Sequence, residues 1–217
     1  MAVSIEAIFF DFGGVFTPSP FSVIRDAGPE LGLEPELALS LCFGPYDDDT
    51  DHPWHRLERG ELALIEARQL LIALAAEHDV VLDPFVLLAR LAGEDPDRAV
   101  LVDRVRELRR SGYRTGLITN NVAEFGDGWR RMVPVDELFE VVIDSSRVGV
   151  RKPDPRIFQM GLDALDVAAP ERAVFLDDHA GNLVGAASLG MRTVLVGADR
   201  TAALTSLDAI LAEGPAG

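Results

Sequence analysis

Residues 7–17 run Ala7-Ile8-Phe9-Phe10-Asp11-Phe12-Gly13-Gly14-Val15-Phe16-Thr17. An unbroken apolar run of strand length, closed by one carboxylate and then two glycines, predicts a buried parallel strand whose carboxyl end delivers Asp11 into a tight turn. Open α/β sheets hold their ligands at that end of their strands. Desolvating a carboxylate is costly unless a cation or a set of N–H donors faces it, so Asp11 implies a partner, most simply a metal ion. The plainer reading is an Asp that caps the following turn. Three later stretches decide between the two.

Working outward, 217 residues that are 48% hydrophobic and 26% charged can bury a full core and leave room for a modest insertion. A formal net charge of −16 opposes a nucleic-acid or anionic-membrane partner but leaves room for a small phosphorylated ligand in a local pocket. The single cysteine, Cys42, is expected as a packed thiol, which fits a cytoplasmic, reducing compartment. Met1-Ala2-Val3-Ser4-Ile5-Glu6 runs directly into the first strand without a basic, apolar, small-residue leader. Leu70 to Ala76 is too short to span a bilayer and is closed by Glu77-His78-Asp79.

After Thr17, Pro18-Ser19-Pro20 changes the texture of the chain, and helical spacing holds to about Gly93. Helices are expected at Phe21–Leu31, Glu34–Cys42, Leu62–Glu77 and Pro84–Leu91, which together make an inserted α-helical cap. The acidic run Asp47-Asp48-Asp49-Thr50-Asp51 is expected as a solvated loop of that cap, since a calcium loop needs a fuller ligand pattern. From Glu94, helix and strand alternate. Asp95 is the expected N-cap of a helix with Pro96 at its first position, running to Ser111-Gly112. Strands follow at Thr115–Ile118, Phe139–Ile143, Ala173–Leu176 and Thr193–Val196, with helices near Glu124–Met132 and over Pro155–Leu165, Ala180–Leu189 and Arg200–Ala212. With Ile8–Phe10 these give a five-stranded parallel sheet in an α/β, Rossmann-like core. The expected domains are a core of residues 1–17 and 93–217 and a cap of residues 18–92, with Pro215-Ala216-Gly217 a frayed end.

The other strand ends carry chemistry. Thr119-Asn120-Asn121 offers a hydroxyl and two amides, the neutral donors a phosphate oxygen needs, or else an N-cap and turn. In Arg151-Lys152-Pro153-Asp154-Pro155 the prolines stiffen the loop around Lys152, making it a charge with a fixed address rather than an ordinary exposed lysine. Leu176-Asp177-Asp178-His179-Ala180-Gly181-Asn182 places two adjacent carboxylates after a strand, where they repel unless a cation lies between them. Capping accounts for one Asp and not for both.

Taken together, FFDFGG, LITNN, VRKPDP and FLDDHAGN resemble, in order and spacing, the four motifs of the haloacid dehalogenase (HAD) superfamily, subfamily I. Gly13-Gly14-Val15 with Pro18-Ser19-Pro20, the segment Trp54–Glu61 and the run Val148–Phe158 are similar to one branch in particular. That branch holds the phosphatase domain of soluble epoxide hydrolases and the HAD domain joined to some acyl-CoA dehydrogenase-like proteins. The resemblance implies a Mg²⁺-dependent phosphatase that acts on a small phosphorylated metabolite through an aspartyl-phosphate. Asp11 would be the nucleophile, while Thr119, Lys152, Asn120 and backbone groups at Gly13 and Gly14 share the phosphate charge. Asp178 would bind the metal directly with Asp11 and the Gly13 carbonyl, Asp177 through the metal's water, and Asn182 would orient that shell.

One position departs from the pattern. Phosphatases of the superfamily usually carry a second Asp two residues after the nucleophile, which shuttles the leaving-group proton, and here that residue is Gly13. A glycine keeps the carbonyl ligand and loses the acid–base group, so turnover is expected to fall by roughly 10²–10⁴ unless another group substitutes. Cap residues His52, His55 and Glu58, or His179 beside the metal acids, are the candidates, with His55 and Glu58 also expected to reach substrate. The plainer reading puts His55 and Glu58 on a surface face and makes Trp54 a packing anchor. Two alternatives stand beside the phosphatase. One is a phospho-ligand-binding or interaction module weakened by Gly13. The other is a metal-independent 2-haloacid dehalogenase, which the two acids disfavour.

Overall fold

The computed structural model describes residues 4–91, 95 and 97–213. Five strands, β1 (Ala7–Phe10), β2 (Arg114–Thr119), β3 (Val141–Asp144), β4 (Ala173–Asp177) and β5 (Arg192–Leu195), form one sheet in the order β3-β2-β1-β4-β5. All four pairings are parallel; Phe10 of β1 faces Leu117 of β2 on one side and Leu176 of β4 on the other. β1 is therefore central, and its four residues are buried on both faces, as its unbroken apolar run requires.

Alternation divides those residues between two layers. Ile8 and Phe10 join Leu101, Val105 and Leu108 of α6 (Arg98–Arg110) and Ala203 and Leu207 of α11 (Arg200–Ala212). Ala7 and Phe9 pack with Ile157, Phe158 and Leu162 of α9 (Pro155–Ala164) and Ala186 of α10 (Ala180–Ser188). Asp154 and Asp199 cap α9 and α11 by accepting the N–H groups of Arg156 at 2.9 Å and Thr201 at 2.9 Å.

Residues 20–91 hold helices and no strand: α1 (Pro20–Ala27), α2 (Pro35–Phe43), α3 (Pro53–Glu58), α4 (Leu64–Ala76) and α5 (Pro84–Leu88). Their apolar faces close on a cluster of their own, around Ile24, Leu41, Leu57 and Leu71. The expected division between residues 92 and 93 lies outside the described residues, as do Gly93, Glu94, Pro96 and Pro215–Gly217.

Three local expectations change. The helix expected at Glu124–Met132 is two 3₁₀ turns, Ala123–Phe125 and Trp129–Arg131, followed by the short α7 (Val135–Leu138). Gly126 interrupts that stretch by adopting φ 53°, which no α-helix continues through. α6 starts at Arg98, directly after Asp97, while Asp95 stands ahead of it: its Oδ1 accepts the Asp97 N–H at 3.1 Å, as a cap would, and also pairs with Arg200 at 2.7 Å. An additional turn of helix, α8 (Ser145–Val148), follows β3, capped by Asp144 through the Ser146 N–H at 3.0 Å.

Candidate active site

Strand order reverses direction at β1, with β2 and β3 on one side and β4 and β5 on the other. The crevice beyond the carboxyl ends of β1 and β4 lies at that switch point, and Asp11 and Asp177 fall on either side of it. Lys152 spans the gap: its Nζ lies 2.8 Å from Asp11 Oδ1 and 2.7 Å from Asp177 Oδ2. The lysine is fully buried, so its ammonium is a fixed charge and not a solvated loop group.

Each acid has a distinct set of partners. Asp11 Oδ1 also accepts the Phe12 N–H at 2.7 Å, while Oδ2 has no hydrogen-bond partner among the described residues. Asp177 is fully occupied, taking the His179 N–H at 2.8 Å, the Asn182 amide at 3.1 Å on each oxygen, and Lys152. Asp178 accepts a hydrogen bond from Ser19 Oγ and lies against Gly14. The three carboxylates each place an oxygen within 4.8 Å of the others. Hard oxygen donors of this kind suit Mg²⁺, and the spare oxygens on Asp11 and Asp178 are the ones available to it.

Burial is the largest influence on these acids. It pushes Asp11 up to about 8, helped by Asp177 and Asp178 and opposed by Lys152. Burial and the neighbouring Asp177 carry Asp178 up to about 7. On Lys152, burial works to lower the pKa, but Asp11 and Asp177 outweigh it and leave it raised. A divalent cation would relieve the repulsion among these carboxylates.

Above the acids lies a cavity of about 320 Å³ whose base carries Asp11, Gly13, Thr119, Asn120, Asp178 and Asn182. Thr119, at the end of β2, is buried, and its hydroxyl turns to the Asn120 carbonyl at 3.3 Å. Asn120 ties the strand end to Lys152, accepting its N–H at 2.8 Å, and donates to Tyr46 of the helical layer at 3.1 Å. Asn121 donates to Asp144 at 2.8 Å, a supporting bond for the β3 end. A second cavity of about 640 Å³ lies on the far side of Asp178, past Gly14, Ser19 and His179, toward Arg25 and Arg200.

The surface-face reading of His55 and Glu58 is corrected: both are buried, at 0% and 3% exposure. Glu58 lines the smaller cavity and is held by three donors, Trp54 Nε1 and Tyr46 Oη at 2.8 Å each and Arg151 Nε at 2.7 Å. His55 is turned toward Thr50, whose N–H it accepts at 3.0 Å. Burial and the Arg151 charge push His55 down to about 3 and His52 to about 4, so both imidazoles are neutral at pH 7. The acidic run is not simply solvated: Asp49 pairs with Arg59 and the Asp48 carbonyl accepts Arg151 at 3.0 Å. Cys42 is buried as expected, and burial lifts its thiol to about 12.

Sequence reading gave no role to Tyr46 or Arg151, although Arg151 stands beside Lys152. The Arg151 guanidinium lies 4.5 Å from the Tyr46 ring centroid and is fully buried. An arginine directly before Lys-Pro was the available signal, but its acidic partner is 93 positions away in the chain.

Against known proteins, residues 5–190 match the family model of the haloacid dehalogenase-like hydrolases. The chain belongs to this family. It is 33% identical to mouse acyl-CoA dehydrogenase family member 10 over 213 residues, 96% of this chain and 19% of that protein. Mouse bifunctional epoxide hydrolase 2 is 39% identical over 93 residues, 41% of this HAD-like chain and 17% of the relative. The chain thus spans about a fifth of the curated relatives with which it shares these stretches. Glyceraldehyde 3-phosphate phosphatase of Pyrococcus abyssi is 41% identical over 101 residues, 45% of this chain and 39% of the phosphatase. A predicted HAD-like hydrolase from Porphyromonas gingivalis has the same fold, with a TM-score of 0.63, 23% identity, and 94% and 97% of the two chains covered. A HAD family enzyme from Bacteroides thetaiotaomicron, solved with magnesium and inorganic phosphate, superposes with a TM-score of 0.59 at 20% identity, covering 90% of this chain and 96% of its own.

Proposed function

We propose that this HAD-like hydrolase is a Mg²⁺-dependent phosphatase acting on a small phosphorylated metabolite, with Asp11 as nucleophile and an aspartyl-phosphate as intermediate. The observation that carries the reading is the bridge of Lys152 between Asp11 and Asp177, with Asp178 completing the acidic cluster. That arrangement supplies a nucleophile, a fixed cation and metal-ligating acids in one crevice.

In this reading Asp11 forms the bond to phosphorus, while the Lys152 ammonium, the Thr119 hydroxyl and the amide of Asn120 balance charge on the phosphate oxygens. Asp178, Asp11 and the Gly13 carbonyl would hold Mg²⁺, which when bound neutralises charge on the phosphate and on the acids. Asp177 already has its donors, so it positions Lys152 and Asn182 and reaches a metal only through water. Residues 18–92 would act as a cap domain over a core of residues 1–17 and 93–217. Glu58 would meet substrate through the cavity wall, while His55 would support it from behind. The acidic surface favours neither nucleic acid nor membrane as a partner, and one buried cysteine accords with a cytoplasmic protein. Among the described residues no helix is long and apolar enough to cross a membrane.

The test is hydrolysis of 4-nitrophenyl phosphate with Mg²⁺ and with EDTA, for the wild type and Asp11→Asn. Metal-dependent release that drops about 10⁴-fold or more in Asp11→Asn is the expected result. Folded protein that binds Mg²⁺ and phosphate yet releases nothing would instead favour a binding module, the reading to which Gly13 lends support.

A further inference from the structure

The substitution at Gly13 has a structural setting that narrows the substrate. A Cβ built on Gly13 would meet only Pro20 Cδ, at 4.0 Å, and its backbone is outside the left-handed region. The backbone therefore accepts a Cβ here and does not require glycine. Gly14 is the opposite case, with φ 72° and the Asp178 carboxylate 2.0 Å from where a Cβ would be.

Among the described residues, no other group on the cavity wall takes over as a proton donor. Apart from Asp11 and the cluster acid Asp178, the described residues lining it offer four O–H or carboxyl groups: Thr17, Tyr46, Glu58 and Thr119. Thr17 donates to the Pro18 carbonyl at 3.0 Å, and the Thr119 hydroxyl, turned to the Asn120 carbonyl, is the group assigned above to the phosphate oxygens and not to the leaving group. The Tyr46 proton is committed to Glu58, and Glu58 is the acceptor of three donors, one of them the Arg151 guanidinium. His179 lines the larger cavity on the other side of Asp178, with its ring packed on Phe21 and Tyr46 at centroid distances of 4.7 and 5.0 Å. Beyond the asparagines Asn120, Asn121 and Asn182 near its base, the rest of the described wall is largely apolar and aromatic, including Phe21, Phe43, Trp54, Val122, Phe125 and Trp129.

We propose that the substrate is a phosphate ester of an acidic hydroxyl carried on an apolar body, a phenol or enol, whose leaving group departs as its own anion. This deepens the phosphatase reading above and rests on it. An Asp11 carboxylate oxygen bonds to phosphorus as the bond from phosphorus to the ester oxygen breaks. The electron pair stays on that oxygen, which leaves as phenolate or enolate and takes a proton from solvent. Water then attacks the aspartyl-phosphate, releasing inorganic phosphate and restoring the carboxylate. A stabilised anion needs no donor at residue 13, and an aromatic wall suits its body.

The test measures kcat/KM with Mg²⁺ for 4-nitrophenyl, phenyl and benzyl phosphate, and for acetyl phosphate as a good leaving group without an apolar body. The expected result is a steep fall, about 10-fold or more from 4-nitrophenyl to phenyl and a further 10²-fold or more to benzyl, because no acid compensates for a poorer leaving group. Acetyl phosphate is expected to show a KM at least about 10-fold above that of 4-nitrophenyl phosphate. Gly13→Asp is expected to raise the ratio of benzyl to 4-nitrophenyl hydrolysis by about 10² or more. Tyr46→Phe should leave the steepness of the wild-type series as it is. A series in which benzyl phosphate is cleaved within a few-fold of 4-nitrophenyl phosphate overturns the proposal, as does a slope that steepens in Tyr46→Phe. A KM for acetyl phosphate equal to that of the aryl ester overturns the apolar-body part. Hydrolysis of none of the four overturns the phosphatase reading itself, an outcome distinct from a flat series.

Discussion

Asp11 and Asp178 are held apart from bulk water by neighbours that tolerate little change, and Gly14 shows how little. Its φ of 72° is strained for any residue with a Cβ, and that Cβ would overlap the Asp178 carboxylate. Gly14→Ala is therefore expected to destabilise the fold by about 1–2 kcal/mol from backbone strain alone. It should also weaken Mg²⁺ binding, because Asp178 must move; thermal melts and a calorimetric Mg²⁺ titration would read the two effects separately. An alanine variant with wild-type Mg²⁺ affinity would show that Asp178 is not a ligand. The adjacent Gly13 lacks that constraint, so chemically opposite behaviour is expected from two neighbouring glycines.

Between elements, the Glu58–Arg151 pair joins α3 to the loop that carries Lys152, and both side chains are buried. Arg151→Met leaves a buried carboxylate without its cation, a change expected to cost about 3–5 kcal/mol in urea unfolding. Adding Glu58→Leu to it should recover most of that loss, since the second change removes the stranded charge. Additive losses in the double variant would show that the pair is not coupled. This pair also marks the boundary of what the sequence made legible. Strand ends announced themselves: Ala7–Phe10 and Ala173–Leu176 are continuous apolar runs that stop at carboxylates, so Asp11 and Asp177 could be placed beside each other from pattern alone. Lys152 was legible as a fixed charge through its flanking prolines. The plainer, surface reading of Glu58 fails because spacing on a helix says nothing about an arginine brought there by tertiary packing. Asp95 keeps a capping bond to the Asp97 N–H, but its pairing with Arg200, 105 positions away, could not be read from the local pattern. At Glu124–Met132 the apolar pattern runs through Gly126, whose φ of 53° breaks the helix.

Across the whole molecule, the acidic cluster ties stability to pH and to metal. In the metal-free protein Asp11 and Asp178 titrate near 8 and 7 instead of 3.8, so the folded state binds more protons than the unfolded state over that span. Stability from this source falls as pH rises through the span. His52 and His55, lowered to about 4 and about 3 from 6.5, act in the opposite direction only below 6.5. Metal-free protein is thus expected to melt at a lower temperature at about pH 8 than at about pH 6.5, and Mg²⁺ should raise the melting temperature more at the higher pH. A larger Mg²⁺ effect at the lower pH would contradict the assignment of these acids to the metal. The sheet order has a further consequence, felt during synthesis. β1 is made first, but its two neighbours are residues 114–117 and 173–176, so its second edge has no partner until the ribosome has passed residue 176. Until then the nascent chain carries an exposed strand edge of Ala-Ile-Phe-Phe, while the helices of residues 20–91 can fold locally. The same central strand that positions the nucleophile makes a stalled or truncated chain prone to aggregate, and so dependent on chaperones until its fourth strand arrives.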